Sequence, residues 1–147
     1  MRNAFYGRET ADVPAVSADY PGIRTPRDLY AALSSLWCAE TCAPRMRGDW
    51  TPENPTLGQC SITAFLAQDI FGGRVYGVPL PDGNYHCYNA VGECVFDLTS
   101  EQFGNRKLCY AGNPEQFRET HFAREEKRRR YELLKEKLRQ ASGNRPQ

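Results

Sequence analysis

Apolar positions recur at helical spacing in some stretches of this chain and alternate in others, and the two patterns divide it into elements. In "TPRDLYAALSSLW", residues 25–37, Leu29, Ala32, Leu33 and Leu36 form one stripe. The stretch opens as helices do. Thr25 can cap, Pro26 suits the first helical position, and Asp28 stands at the third. From Cys60 a second helix places Ile62, Phe65, Leu66 and Ile70 on one face and stops at Gly72-Gly73. A third, "EEKRRRYELLKEKLRQ", is charged and amphipathic, with Tyr131, Leu134 and Leu138 as its apolar side.

Between the second and third helices the pattern becomes strand-like. "RVYGVPL" and "NYHCYNA" are joined by the turn "PDGN", and "ECVFDLT" follows a Val91-Gly92 turn. Thr99 and Gln102 carry the capping-box spacing of a short helix. Residues 38–59 hold Pro44, Gly48, Pro52, Pro55 and Gly58, which prevent long regular elements. The expectation is an α+β fold, helices packed on a small antiparallel sheet. Residues 1–24 have no period and are expected to form a loosely ordered arm. One domain is expected over 25–140, and a frayed tail over 141–147.

Composition narrows the class. The chain has 147 residues, 40% hydrophobic and 25% charged, with a formal net charge of +1. That balance fits one soluble domain and gives no pull toward nucleic acid. No apolar run approaches the ~18 residues of a membrane span, and no signal pattern opens the chain, so a cytoplasmic protein is expected. Within "REEKRRR" (124–130), acids alternate with bases, which predicts a solvated face with i,i+4 pairs. The helix that follows is expected to pack on the domain or to join two copies of the chain.

The six cysteines, Cys38, Cys42, Cys60, Cys87, Cys94 and Cys109, are expected to stay reduced in that compartment. Cys38 and Cys42 form a C-x3-C pair, but no second pair with ligand spacing follows. No metal or cofactor is therefore expected. Of the two histidines, His121 heads the last helix and is expected to act as a surface or capping residue.

Cys60 and His86 carry the candidate chemistry. If Val91-Gly92 is a two-residue turn, Ala90 faces Glu93 and His86 faces Asp97 on the same side of the hairpin. Opposed side chains have Cβ atoms roughly 4.5–5.5 Å apart, within reach of an imidazole–carboxylate bond. A carboxylate fixes the tautomer of such a histidine and steadies its charged form. A helix start and a neighbouring histidine both lower a thiol pKa from its free value of ~8.5. Cys60 is thus the candidate nucleophile, His86 the base and Asp97 the orienting acid. The backbone N–H of Cys60 would be one oxyanion donor, Asn54 or Gln59 would supply another, and Trp50 would wall the substrate groove.

"NPTLGQCSITAFLAQDIFGG", "HCYN", "FDLTSEQF" and "RRRYELL" together resemble the bacterial YunG-like proteins over roughly residues 28–138. In that family the strand reads His-Tyr-Trp-Asn, and here Cys87 and Tyr88 stand in place of Tyr-Trp. The order Cys-helix, His-strand, Asp-strand is also similar to the transglutaminase-like and arylamine N-acetyltransferase-like members of the papain-like superfamily. That resemblance implies a papain-like core with a Cys60-His86-Asp97 triad. The activity expected from it is a thiol-dependent hydrolase or acyltransferase acting on a peptide, amide or small-molecule substrate. The rival expectation is a non-enzymatic binding or adaptor domain that keeps the fold and uses its groove.

Overall fold

Helix α2 (Cys60–Phe71) is the element around which the rest is built. The sequence predicts one apolar face for it, yet Ile62, Phe65, Leu66, Ala67 and Ile70 are fully buried and Thr63 and Ala64 nearly so. Burial on almost every side is expected of a helix that is covered on several sides. Its neighbours are strands β1 (Arg74–Pro79) and β2 (Tyr85–Val91), helix α1 (Pro26–Leu33) and helix α4 (Glu125–Gly143). The computed structural model describes residues 5–143. The first four residues of the expected arm, and 144–147 of the expected tail, lie outside the described residues.

The sheet is antiparallel and four-stranded, in the order β3-β2-β1-β4, with β3 at Cys94–Phe96 and β4 at Glu115–Gln116. The architecture is therefore α+β. Strand β4 has only two residues and no alternation to announce it. Helix α3 (Arg118–His121) follows it at once and leads into α4. Tyr131, Leu134 and Leu138 are buried in the core cluster shared with α2. Among the described residues, no helix is long and apolar enough to cross a membrane.

The β2–β3 hairpin turns one residue later than the sequence predicts, at Gly92-Glu93. Val91 pairs with Cys94, Ala90 with Val95 and Asn89 with Phe96. Gly92 takes a left-handed φ of 59°, which the first position of a tight hairpin turn demands and which Val91 would resist. The slip displaces the pairing by two residues, so the side-chain faces are unchanged. His86 and Asp97 remain on one side, but diagonal to each other rather than directly opposed.

Asp97 lies just past the end of β3 and pairs with the N-terminal segment instead. Its backbone N–H donates to the carbonyl oxygen of Tyr6 at 3.0 Å, and the Tyr6 N–H donates to Ser100 Oγ at 2.9 Å. The segment expected as a loose arm also sends Phe5, Ala11, Tyr20 and Ile23 into the core. Their spacing follows neither the helical nor the strand period, which is why the sequence pattern does not reveal them.

Candidate active site

The loop before α2 sets the position of Cys60. Gly58 has φ 71°, and a Cβ there would lie 2.5 Å from Cys42 Sγ and 3.0 Å from the backbone nitrogen of Ala43. Only glycine fits this close approach. The Gly58 carbonyl accepts the Ala43 N–H at 2.9 Å, and Gln59 then begins the turn into the helix. Gln102 holds the same loop from the other side. Its Nε2 donates to the carbonyls of Thr56 and Thr99, both at 3.1 Å, and its Oε1 accepts the Gly58 N–H at 3.4 Å. The capping box expected of Thr99 and Gln102 does not form, because both side chains are committed elsewhere.

Cys60 is the first residue of α2 and is partly exposed in a cleft of about 520 Å³. Its Sγ lies 3.7 Å from the carbonyl oxygen of Tyr85, at the start of β2. Its backbone N–H has no acceptor among the described residues and stays available at the helix start. His86 lines the same cleft and is otherwise buried, its ring edge-on to Phe103 with centroids 4.6 Å apart. His86 Nε2 lies 2.6 Å from Asp97 Oδ2. That leaves Nδ1 as the ring nitrogen that can serve Cys60.

Asp97 is fully buried and surrounded by donors. Oδ2 takes the Tyr110 hydroxyl at 2.7 Å as well as His86. Oδ1 takes the Thr99 N–H at 3.1 Å and the Thr99 hydroxyl at 3.3 Å. Burial would drive a lone imidazole to its neutral form, but the charge and hydrogen bond of Asp97, with Cys60 assisting, outweigh that and push the His86 pKa up to about 10. At Cys60 the direction reverses. The adjacent Cys87 side chain is the foremost cause and His86, with its positive charge, the next, so the Cys60 pKa falls well below the usual thiol value despite burial. Cys87 is raised in turn by the adjacent Cys60 side chain and by its own burial. The two groups thus favour charge on each other, an anionic sulfur at Cys60 and a protonated ring at His86.

The structure thus brings Cys60, His86 and Asp97 together. It does not bring Asn54, Gln59 or Trp50 to the cleft. The Gln59 side chain is fully buried and donates to the Cys38 carbonyl at 3.0 Å, away from the thiol. Trp50 Nε1 is held by the Pro55 carbonyl at 3.0 Å, and Asn54 belongs to a small bridge with Thr51. The local backbone turns of residues 50–59 take these side chains off the cleft wall.

Sequence patterning also passes over three cleft or site residues. Tyr110 sits in an irregular stretch with no motif to mark it. His121 lines the cleft rather than the outer surface, and Lys127, inside the run expected to be solvated, lines it too. Arg130 of that run is buried, bonded to the Thr41 carbonyl and paired with Glu126. The expected i,i+4 pairs do occur, at Glu125–Arg129 and Glu126–Arg130. Among the described residues, no group of three or more His, Cys, Asp or Glu side chains is placed to hold a metal ion.

Comparison with known proteins places the chain by sequence. No solved structure matches it. The protein YunG of Bacillus subtilis (strain 168) is 46% identical over 54 residues, a stretch covering 37% of this chain and 46% of that relative. The match thus spans less than half of the relative's length. The family model described as YunG protein matches residues 25–143, from the cap of α1 to the end of α4. The chain belongs to the YunG family.

Proposed function

We propose that the protein is a cysteine hydrolase or acyltransferase that acts on an amide or peptide bond through a thioester on Cys60, on a papain-like plan. The observation that carries this reading is the line from the Cys60 thiol at a helix start, through His86, to the buried Asp97, opening on a cleft. In the first step the Cys60 thiolate attacks the substrate carbonyl carbon, and the carbonyl π electrons move onto oxygen. The free N–H of Cys60 stabilises that oxyanion. The His86 imidazolium gives its proton to the leaving nitrogen as the C–N bond breaks and the thioester forms. In the second step neutral His86 takes a proton from water or another acceptor, which attacks the thioester and expels the thiolate. Asp97 keeps Nε2 protonated and the ring aimed throughout.

The test is site-resolved alkylation of the native protein by iodoacetamide across pH. Fast labelling of Cys60 with an apparent pKa well below ~8.5, slowed in His86→Ala, supports the reading and justifies a screen of amides and thioesters. Labelling of Cys60 no faster than that of exposed Cys109 at any pH sinks it, and turns attention to partners that occupy the cleft.

A further inference from the structure

The cleft carries more positive charge than its own carboxylates answer. Arg45, Arg124, Lys127 and Arg130 line it, against Asp82 and Glu126. Both acids are engaged: Arg45 Nη1 lies 3.3 Å from Asp82 Oδ2, and Arg130 Nε pairs with Glu126 Oε2. Four cations less two paired ones leave Arg124 and Lys127 without a carboxylate partner among the described residues.

Lys127 is the more telling of the two, because it is half-buried. Its Nζ lies 2.9 Å from His121 Nδ1, and His121 Nε2 lies 2.9 Å from Gln116 Oε1. The lysine donates to Nδ1, so the proton of a neutral imidazole sits on Nε2 and is donated to the glutamine. Burial, with the lysine's charge, keeps His121 neutral by lowering its pKa to about 4. His121 thus answers one of the three ammonium donors and none of its charge. Among the described residues Lys127 therefore has a neutral ring and no carboxylate beside it, and ammonium donors left over for an incoming anion.

We infer that the wall formed by α3 and the start of α4 binds an anionic group of the substrate, with Lys127 and Arg124 selecting amides that carry a carboxylate near the scissile bond. The inference rests on the acyl-transfer reading of Cys60 and names the substrate class for it. Both residues line the same cleft as the thiol, and Lys127 is near enough for the Cys60 charge to act on it. Arg124 is exposed at the rim, where it would meet the anion first.

Two alkylating agents differing only in a carboxylate test this directly. The rates at which iodoacetate and iodoacetamide modify Cys60 would be measured site by site near neutral pH, with Cys109 as the internal reference. The ratio of the two rates cancels changes in the thiol itself. The wild-type ratio at Cys60 should exceed that at Cys109 and fall with added salt. It should drop about tenfold in Lys127→Gln, the loss expected for one charge-assisted contact, and by less in Arg124→Gln. A ratio unchanged in both variants overturns the inference, and would assign Lys127 to the thiolate alone. If neither reagent modifies Cys60 while Cys109 reacts, the acyl-transfer reading falls and the substrate class falls with it. Should Lys127→Gln fail to fold, the exposed Arg124→Gln variant and the wild-type salt dependence decide the matter.

Discussion

The Tyr110 hydroxyl donates to Asp97 Oδ2 at 2.7 Å, on the same oxygen that holds His86 Nε2 at 2.6 Å. One carboxylate oxygen thereby ties an irregular segment after the sheet to the histidine of β2. Burial and the Asp97 charge push the Tyr110 pKa far up, so the phenol acts only as a donor. With Thr99 supplying two more donors to Oδ1, the carboxylate has the hydrogen bonding that a buried charge requires.

Tyr110→Phe removes one of these donors without opening a large cavity. Hydrogen bonds to charged groups are worth about 1.5–3 kcal/mol, and urea unfolding of the variant should show a loss in that range. A variant as stable as the wild type would mean that Thr99 and His86 alone satisfy Asp97.

Cys60→Ala should make stability fall more steeply with rising pH than it does in the wild type. His86 has its pKa raised from 6.5 to about 10, so its contribution is full below 6.5 and lost as pH rises through about 10. Cys60 has its pKa lowered from 9.0, so its contribution is present above 9.0 and lost as pH falls through the depressed value. Below 9.0 and above its depressed value, Cys60 is charged in the native protein and protonated in the unfolded chain, whereas above 6.5 and below about 10 His86 is protonated in the native protein and neutral in the unfolded chain. The two slopes oppose each other. In Cys60→Ala the native state keeps the histidine proton, still held by Asp97, and the unfolded state has none. Stability of the variant should then fall with pH by up to ~1.4 kcal/mol per unit. Urea midpoints at three pH values in this window, variant against wild type, check the difference in slope.

Cys87→Ala tests the second thiol. The Cys87 side chain is the foremost cause of the lowered Cys60 pKa, ahead of His86. The onset of Cys60 alkylation should therefore move to higher pH in the variant, in the same direction as in His86→Ala. An unmoved onset would show that the histidine alone holds the thiolate.

Leu134→Ala probes the seam between α4 and α2. The side chain is fully buried, and truncations of this kind cost about 2–5 kcal/mol. Thermal unfolding should show a clear drop in Tm, with labelling of Cys60 in the folded fraction retained.

The elements carrying Cys60 and His86 are legible in the sequence because each has strong punctuation: Gly58 ahead of α2, Gly72-Gly73 after it, and "PDGN" between β1 and β2. The β2–β3 register is less legible. A valine and two possible glycine positions leave the turn free to sit at Val91-Gly92 or Gly92-Glu93, and backbone φ at Gly92 decides. The face of His86 survives the slip because it displaces the pairing by an even number of residues. Gln59 is misread for a different reason. Adjacency to Cys60 in sequence says nothing of side-chain direction at a helix entry, and this side chain turns inward to Cys38. Lys127 and His121 are hidden by composition, since a run rich in both charges looks solvated until α4 packs one side of it against the cleft.

The residues that Tyr6 contacts give the N-terminal segment a wider meaning. Its backbone bridges Asp97, its ring stacks on Tyr110 with centroids 4.0 Å apart, and its neighbour Phe5 is buried. All of this precedes residue 25, where the family-matched region begins. The piece of chain that clasps the acid of the site is thus outside the part of the sequence that defines the family. Proteolytic clipping between Gly7 and Thr25 would leave Cys60, His86 and Asp97 covalently in place. It would also leave the clasp of Phe5 and Tyr6 held only by its hydrogen bonds and packing, without a covalent tie to the family-matched domain.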